Sequence, residues 1–326
     1  MEGQTATLTR DALRVHDDAP MTFGQVQGLD KKVSRIVMGT MLEGSLPSAA
    51  TGMALYDDFY ERGGNCFDTA YVYQGGYSET ILGHWIKTRG VRDDVVIIAK
   101  GVHPPHDKPE MIATQLDESL GRMQLDHADI YRMHRDNENY AVSEWIDALN
   151  EQVKKGRITV FGGSNWSLAR IAEANEYAAQ NGLQGFVTVS NNFSLARMAN
   201  PVWDGCISAS DADSRKWLKE KQIALMPWSS QARGFFVRGD RNFTADEELT
   251  RCWYSDDNFQ RLERVQEMAK QKNLQPIELA LAYVLNQPFP TFPLIGPRTP
   301  DEIRSSLLAL AIKLSPDELK WLNLEA

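Results

Sequence analysis

Cysteine is scarce in this sequence: Cys66, Cys206 and Cys252 are its three, far apart and with no Cys-x-x-Cys pair. That excludes a disulfide framework or a zinc knuckle and suits a reducing compartment. Basic residues are also in deficit, 35 against 44 acidic ones, for a formal net charge of -9. Nucleic acid and anionic membrane surfaces are therefore poor partners. No apolar run is long enough to span a bilayer, and Met1 to Pro20 lack the apolar centre of a secretory leader. A soluble, cytoplasmic protein is expected.

What the chain has is a rhythm. Short apolar runs alternate with helical patterns, and the runs predicted as strands are Arg35–Met41, Cys66–Ala70, Val95–Lys100, Asp129–His134, Ile158–Asn165, Phe186–Asn192, Ile223–Ser230 and Thr291–Gly296. Several are continuous, as in Val95-Val96-Ile97-Ile98-Ala99. Strands buried on both faces have that composition, so a parallel sheet under helices is expected. Val142, Trp145, Ile146, Leu149 and Val153 follow the helical period, as do Leu168, Ile171, Ala172 and Ala178 behind a Ser167 cap, with Gly182 as the stop. Thr299-Pro300-Asp301-Glu302 combines a capping box with proline at the first helical position. An open Rossmann sheet would carry Gly-x-Gly-x-x-Gly after its first strand, where Gly39-Thr40-Met41 stands instead. The architecture predicted is a (β/α)8 TIM barrel spanning 21–326, entered through a β-hairpin over Thr22–Lys32 and preceded by an N-terminal arm, 1–20. Gln231–Asp257 is long for a connection and is expected to serve function.

Polar residues stand where the apolar strands end. Asp68, Lys100 and His134 close three successive runs, and Tyr73 follows Asp68 by five positions. In a parallel barrel such positions share the catalytic rim. Lys100 needs an acid there, and Asp68 on the neighbouring strand is the obvious one. Tyrosine ordinarily titrates near ~10. A close ammonium lowers that value, so Lys100 is expected to bring Tyr73 toward the range of a general acid. A neutral His134 would orient a substrate oxygen by hydrogen bonding.

Phe67-Asp68-Thr69-Ala70-Tyr71-Val72-Tyr73 with Ser78-Glu79 and Leu82-Gly83, then Ile98-Ala99-Lys100, Asp129-Ile130-Tyr131-Arg132-Met133-His134 and Gly163-Ser164-Asn165, resemble the aldo-keto reductase superfamily from about Thr22 to Leu322. The resemblance implies an NAD(P)H-dependent carbonyl reductase whose catalytic tetrad is Asp68, Tyr73, Lys100 and His134. It also implies a nicotinamide cofactor lying extended across the rim. Ser164 and Asn165 would hold its carboxamide, with Ser190 where a glutamine is usual. Trp228 would stack on the ring, and Gly39, Thr40 and Met41 would line it. Ser229, Ser230, Gln231 and Gly234 would follow the pyrophosphate, and Ile295, Gly296, Arg298 and Glu302 would meet the adenosine end. A helix start beside Arg298 suits a 2′-phosphate, so NADPH is favoured over NADH; Glu302 reads chiefly as a capping residue.

Met41, Tyr73, His134, Arg135 and Trp166 are the expected substrate contacts. Arg135, Asp136 and Asn137, all hydrogen-bonding side chains after His134, point to a polar or sugar-like carbonyl compound. No metal is expected: His103-Pro104-Pro105-His106 has two imidazoles but no matching third ligand. The rival reading is a cofactor-sensing subunit with little turnover.

Overall fold

The structure is a computed structural model describing residues 21–41, 46 and 48–326; the expected arm, 1–20, lies outside the described residues. The chain enters through a two-stranded antiparallel hairpin, β1 (Phe23–Gly24) and β2 (Val33–Ser34). The return strand therefore sits just beyond the hairpin range predicted. Alternation follows: β3 (Val37–Gly39), α1 (Ala49–Glu61), β4 (Cys66–Asp68), α2 (Tyr77–Arg89), β5 (Val96–Gly101), α3 (Met111–Met123), β6 (Ala128–Met133) and α4 (Val142–Lys154). The second half continues with β7 (Ile158–Ser164), α5 (Leu168–Gln180), β8 (Thr188–Ser190), α6 (Ala212–Lys221) and β9 (Ala224–Leu225). Two short helices, α7 (Phe235–Arg238) and α8 (Glu247–Trp253), occupy the long segment expected to be a connection. Then come α9 (Asp256–Lys272), α10 (Pro276–Leu285), β10 (Leu294–Ile295), α11 (Pro300–Leu308) and α12 (Pro316–Leu322).

Eight parallel strands run in the order β10-β3-β4-β5-β6-β7-β8-β9. A parallel bridge from Leu225 to Thr291 joins the two ends, with Leu225 N–H donating to the Pro290 carbonyl at 2.9 Å and Phe292 N–H to Leu225 at 2.8 Å. Six of the eight observed strands fall inside a predicted run, and β5 and β6 each pass its edge by one residue, at Gly101 and Ala128. This is the (β/α)8 fold.

The two-residue period of a strand divides the core. Phe67, Ile97, Ala99, Tyr131 and Phe161 face outward into the layer beneath the helices. Cys66, Val96, Ile98, Ile130 and Val160 face the barrel interior, where Val26, Leu29 and Val33 of the hairpin plug the base. Helix ends follow their residue chemistry: Ser167 Oγ accepts from Arg170 N–H, and Gly182 takes φ 65° just past α5.

Helices α2 and α3 pack so closely that a Cβ at Gly83 would lie 2.2 Å from the Met123 carbonyl oxygen. Gly83→Ala should therefore lower stability by about 1–3 kcal/mol through overpacking. Urea unfolding checks it; an unmoved midpoint would show that the two helices separate freely.

Candidate active site

On β4, β5 and β6 the inward positions change from apolar to charged at one level. Asp68, Lys100 and Arg132 form that layer, with Lys100 directly beside Arg132 in register. All three are buried, at 1, 3 and 0% exposure. The Lys100 ammonium is in contact with Asp68 Oδ1 and donates to Tyr73 Oη at 2.8 Å. Arg132 donates to the other oxygen, Asp68 Oδ2, at 3.2 Å. Tyr73 opens a tight turn after β4 in which Gln74, Gly75 and Gly76 have φ of 51°, 64° and 93°. The turn is pinned by Tyr71 N–H on the Lys100 carbonyl, 2.7 Å, and by Gln74 Nε2 on the Met41 carbonyl, 2.8 Å. His134 is held just past β6 by its N–H on Gly101, 2.8 Å, and its ring meets that of Tyr73 edge-on at 5.9 Å.

Burial opposes the Lys100 ammonium, yet the Asp68 carboxylate and the Tyr73 oxygen hold its pKa above the usual lysine value. Burial and the cations of Lys100 and Arg135 push His134 well below the ordinary histidine value, so the imidazole is neutral at neutral pH. Tyr73 departs from expectation. Burial raises the phenol above its ordinary value, and Lys100 only limits that rise. The hydroxyl is thus firmly protonated near pH ~7.

The cofactor candidates line the same end of the barrel. Thr40 is buried, its N–H on the Asp68 carbonyl at 3.0 Å and its carbonyl accepting from Ser78 Oγ at 3.2 Å. Gly39 lets β3 approach β10, since a Cβ there would lie 3.0 Å from the Ile295 carbonyl oxygen. Ser164 Oγ donates to the Ser190 carbonyl at 3.0 Å, and Asn165 Nδ2 to Ser164 Oγ at 3.1 Å. Asn192, next to Ser190 and Asn191, donates to the Trp228 carbonyl at 3.1 Å. Ser229, Ala232, Arg233 and Gly234 all have left-handed backbones, and Gln231 lies within that turn. Ser230 Oγ ties the turn to the Leu294 carbonyl at 2.7 Å. Gly296, Arg298 and Glu302 are exposed, and Ile295 is buried in β10. The expected capping box is half formed: Thr299 Oγ1 accepts from Glu302 N–H, but the Glu302 carboxylate takes Arg298 N–H at 2.6 Å instead of the Thr299 N–H.

Two substrate expectations are corrected. Trp166 is fully buried between Trp145 and Phe186, with ring distances of 5.7 and 5.2 Å, so it belongs to the helix–strand layer and not to the rim. The polar trio after β6 is committed to loop ties. Arg135 is buried and binds the His134 carbonyl at 2.8 Å and Cys206 Sγ at 3.2 Å; Asp136 pairs with Arg170 at 3.0 Å; Asn137 donates to the Asp107 carbonyl at 3.0 Å. These side chains do not converge on Tyr73. Two residues were missed. Arg132 was legible as an inward position two before His134, and His103, weighed only as a metal ligand, sets its ring edge-on to His134 at 4.9 Å. Among the described residues no group of three or more His, Cys, Asp or Glu is placed to hold a metal ion.

The aldo/keto reductase family model matches residues 35–323. The chain belongs to the aldo/keto reductase family. An uncharacterized oxidoreductase, YrpG of Bacillus subtilis, is 26% identical over 309 residues, covering 90% of this chain and 92% of its own. A norsolorinic acid reductase of Emericella nidulans is 28% identical over 321 residues, covering 88% and 77%. An aryl-alcohol dehydrogenase of Pestalotiopsis microspora is 26% identical over 301 residues, covering 87% and 75%. In fold, the chain resembles a thermostable aldo-keto reductase crystallised with the inhibitor epalrestat, with a TM-score of 0.74 at 21% identity, over 94% of this chain and 100% of that one.

Because Arg132 also holds Asp68, losing Lys100 would not strand the carboxylate, contrary to what Asp68–Lys100 pairing alone implies. Lys100→Met should fold nearly as well as the parent. Asp68→Asn leaves two buried cations without an anion and should cost about 3–5 kcal/mol. Urea unfolding at neutral pH separates the two; an equal or larger loss in Lys100→Met would contradict the shared pairing.

Proposed function

We propose that this chain reduces a ketone or aldehyde to an alcohol with a nicotinamide dinucleotide, Tyr73 delivering the proton. The 2.8 Å contact from the buried, Asp68-paired Lys100 to Tyr73 Oη is the observation that carries this reading. The contact occupies a lone pair of the phenol oxygen and leaves its O–H available to a substrate oxygen. A phenol still protonated near pH ~7 suits donation to a developing alkoxide, which is far more basic. Neutral His134 serves as hydrogen-bond partner to that oxygen. Lys100 stabilises the phenolate left behind, and Asp68 keeps Lys100 charged in its buried setting.

The chemistry of the side chains fits a dinucleotide. Thr40 Oγ1, Asn191 Oδ1, Asn192 Oδ1 and Trp228 Nε1 are buried polar atoms without hydrogen-bond partners among the described residues. When bound, a reduced nicotinamide supplies the hydride. Ser164 and Asn165, with Ser190 beside them, would hold the carboxamide, and Trp228 would lie against the ring with Met41 and Thr40 at its edge. The left-handed turn from Ser229 to Gly234 suits a pyrophosphate. Arg298, exposed and in no ion pair among the described residues, suits the 2′-phosphate of NADPH; the preference is for NADPH, with NADH accepted.

For the substrate, the reading of a polar or sugar-like carbonyl compound loses its support with the commitment of Arg135, Asp136 and Asn137. Trp203, 43% exposed and 6.1 Å from Trp228, offers a flat apolar wall near the rim. One relative is named for norsolorinic acid and another for aryl alcohols, and an aryl alcohol carries an aromatic ring. The substrate proposed is an aromatic or other ring-bearing carbonyl compound.

The test is NADPH oxidation over a panel of aryl aldehydes, ring ketones and aldoses, run with the parent and Tyr73→Phe. Turnover of the ring compounds is expected, and Tyr73→Phe should lose at least about a hundredfold, the low end of what a positioned acid contributes. NADPH quenching of tryptophan fluorescence should persist in the variant. Unchanged turnover in Tyr73→Phe would remove the proposed proton donor, and activity confined to aldoses would remove the substrate reading.

A further inference from the structure

Arg132 is an unusual charge to find inside a barrel. It is 0% exposed, and its one carboxylate partner among the described residues is Asp68, already engaged by Lys100. Its Nη2 reaches only the thioether of Met226 across the barrel, and its Nε has no partner among the described residues. A buried guanidinium held this poorly costs folding stability, and an apolar side chain of similar size is commonly neutral or better in such a place. The neighbouring interior positions Ile98, Ile130, Val160 and Met226 show that the site accepts apolar residues. The cost falls on the one layer that touches the phenol.

We propose that Arg132 is a positioning residue for proton transfer: by taking Asp68 Oδ2 it divides the carboxylate between two cations and leaves the Lys100 ammonium with charge to exert on the Tyr73 oxygen. The inference rests on Tyr73 being the proton donor. Charges in the layer sum to one net positive, since Asp68 is its single anion. The groups facing Tyr73 are Lys100 on β5, Asp68 on β4, Arg132 on β6 and His134 just past it; His103 and Arg135 border His134. The imidazoles and Arg135 carry no negative charge, so Asp68 alone in this group can cancel Lys100. With Arg132 removed, Asp68 Oδ2 would be released and the Asp68–Lys100 pair would become neutral. The phenolate would then lose much of its stabilisation, and burial, which already raises the Tyr73 pKa, would act with less opposition.

Arg132→Met removes the charge, keeps most of the volume beside Met226, and leaves Asp68 paired with Lys100, so the fold should survive. Arg132→Lys keeps the charge. The experiment is the pH profile of kcat with NADP+ for an aryl alcohol, a direction that needs Tyr73 as phenolate, for the parent, both variants and Tyr73→Phe. In Arg132→Met the pH of half-maximal oxidation should rise by about one unit, the small end of the effect of a nearby charge. Oxidation at neutral pH would fall about tenfold, while NADP+ quenching of tryptophan fluorescence stays as in the parent. Arg132→Lys should restore the parent profile. Should Arg132→Met fail to fold, Arg132→Gln carries the same comparison.

An unmoved pH limb in the uncharged variant, or the same displacement in Arg132→Lys, overturns the role. A uniform loss at every pH reports a merely structural arginine and overturns it equally. Parent-like turnover in Tyr73→Phe overturns the donor assignment itself; a dead Tyr73→Phe with an unmoved limb in Arg132→Met overturns only this inference.

Discussion

One carboxylate bears on both buried cations at the mouth of the barrel. Asp68 touches Lys100 through one oxygen and Arg132 through the other, and the layer they form is almost wholly sealed from water. In that setting the Lys100 ammonium has opposite consequences for the two buried rings above it. Burial first, then the cations of Lys100 and Arg135, keeps the His134 imidazole neutral; Lys100 favours the phenolate, so the rise that burial imposes on Tyr73 is restrained. Burial and the Lys100 ammonium thus act on both rings, and in each burial is the larger effect.

The fold supplies the arrangement through register alone. Parallel pairing sets Gly39 beside Asp68 and Lys100 beside Arg132, and alternation turns these side chains to the interior just above an apolar plug. The Tyr73 turn is not left to itself either: Gln74 and Ser78 fasten it to the Met41 and Thr40 carbonyls after β3. Placing a site at strand ends and bracing the turn that carries Tyr73 limits how far the phenol can wander from the ammonium.

The strands were legible because fully buried parallel strands leave continuous apolar runs, and Asp68, Lys100 and His134 were legible because a polar side chain ends each run abruptly. Arg132 escaped notice because Asp129–His134 was read for its apolar character and not for which of its residues share a face. Trp166 was misplaced for a related reason: Asn165 takes φ 58°, and the chain turns there, sending the indole into the layer beneath the helices. The partners of Arg135, Asp136 and Asn137 lie at Cys206, Arg170 and Asp107, distances along the chain at which residue type gives no hint of contact. For Tyr73, the Coulomb effect of Lys100 could be foreseen from the sequence, whereas the larger effect of desolvation depends on depth, which only the packed structure reveals.

The most direct measurement is the charge state of Lys100 itself, read by 15N NMR of the lysine side-chain nitrogens and assigned by the resonance missing in Lys100→Met. Shared Asp68 pairing requires an ammonium that stays protonated past the ordinary lysine pKa of 10.5 despite complete burial. A buried lysine without that anion would titrate several units lower, down to about 5–6 in extreme cases. Titration of Lys100 near neutral pH in the parent protein would contradict the electrostatic core on which the proposed chemistry depends.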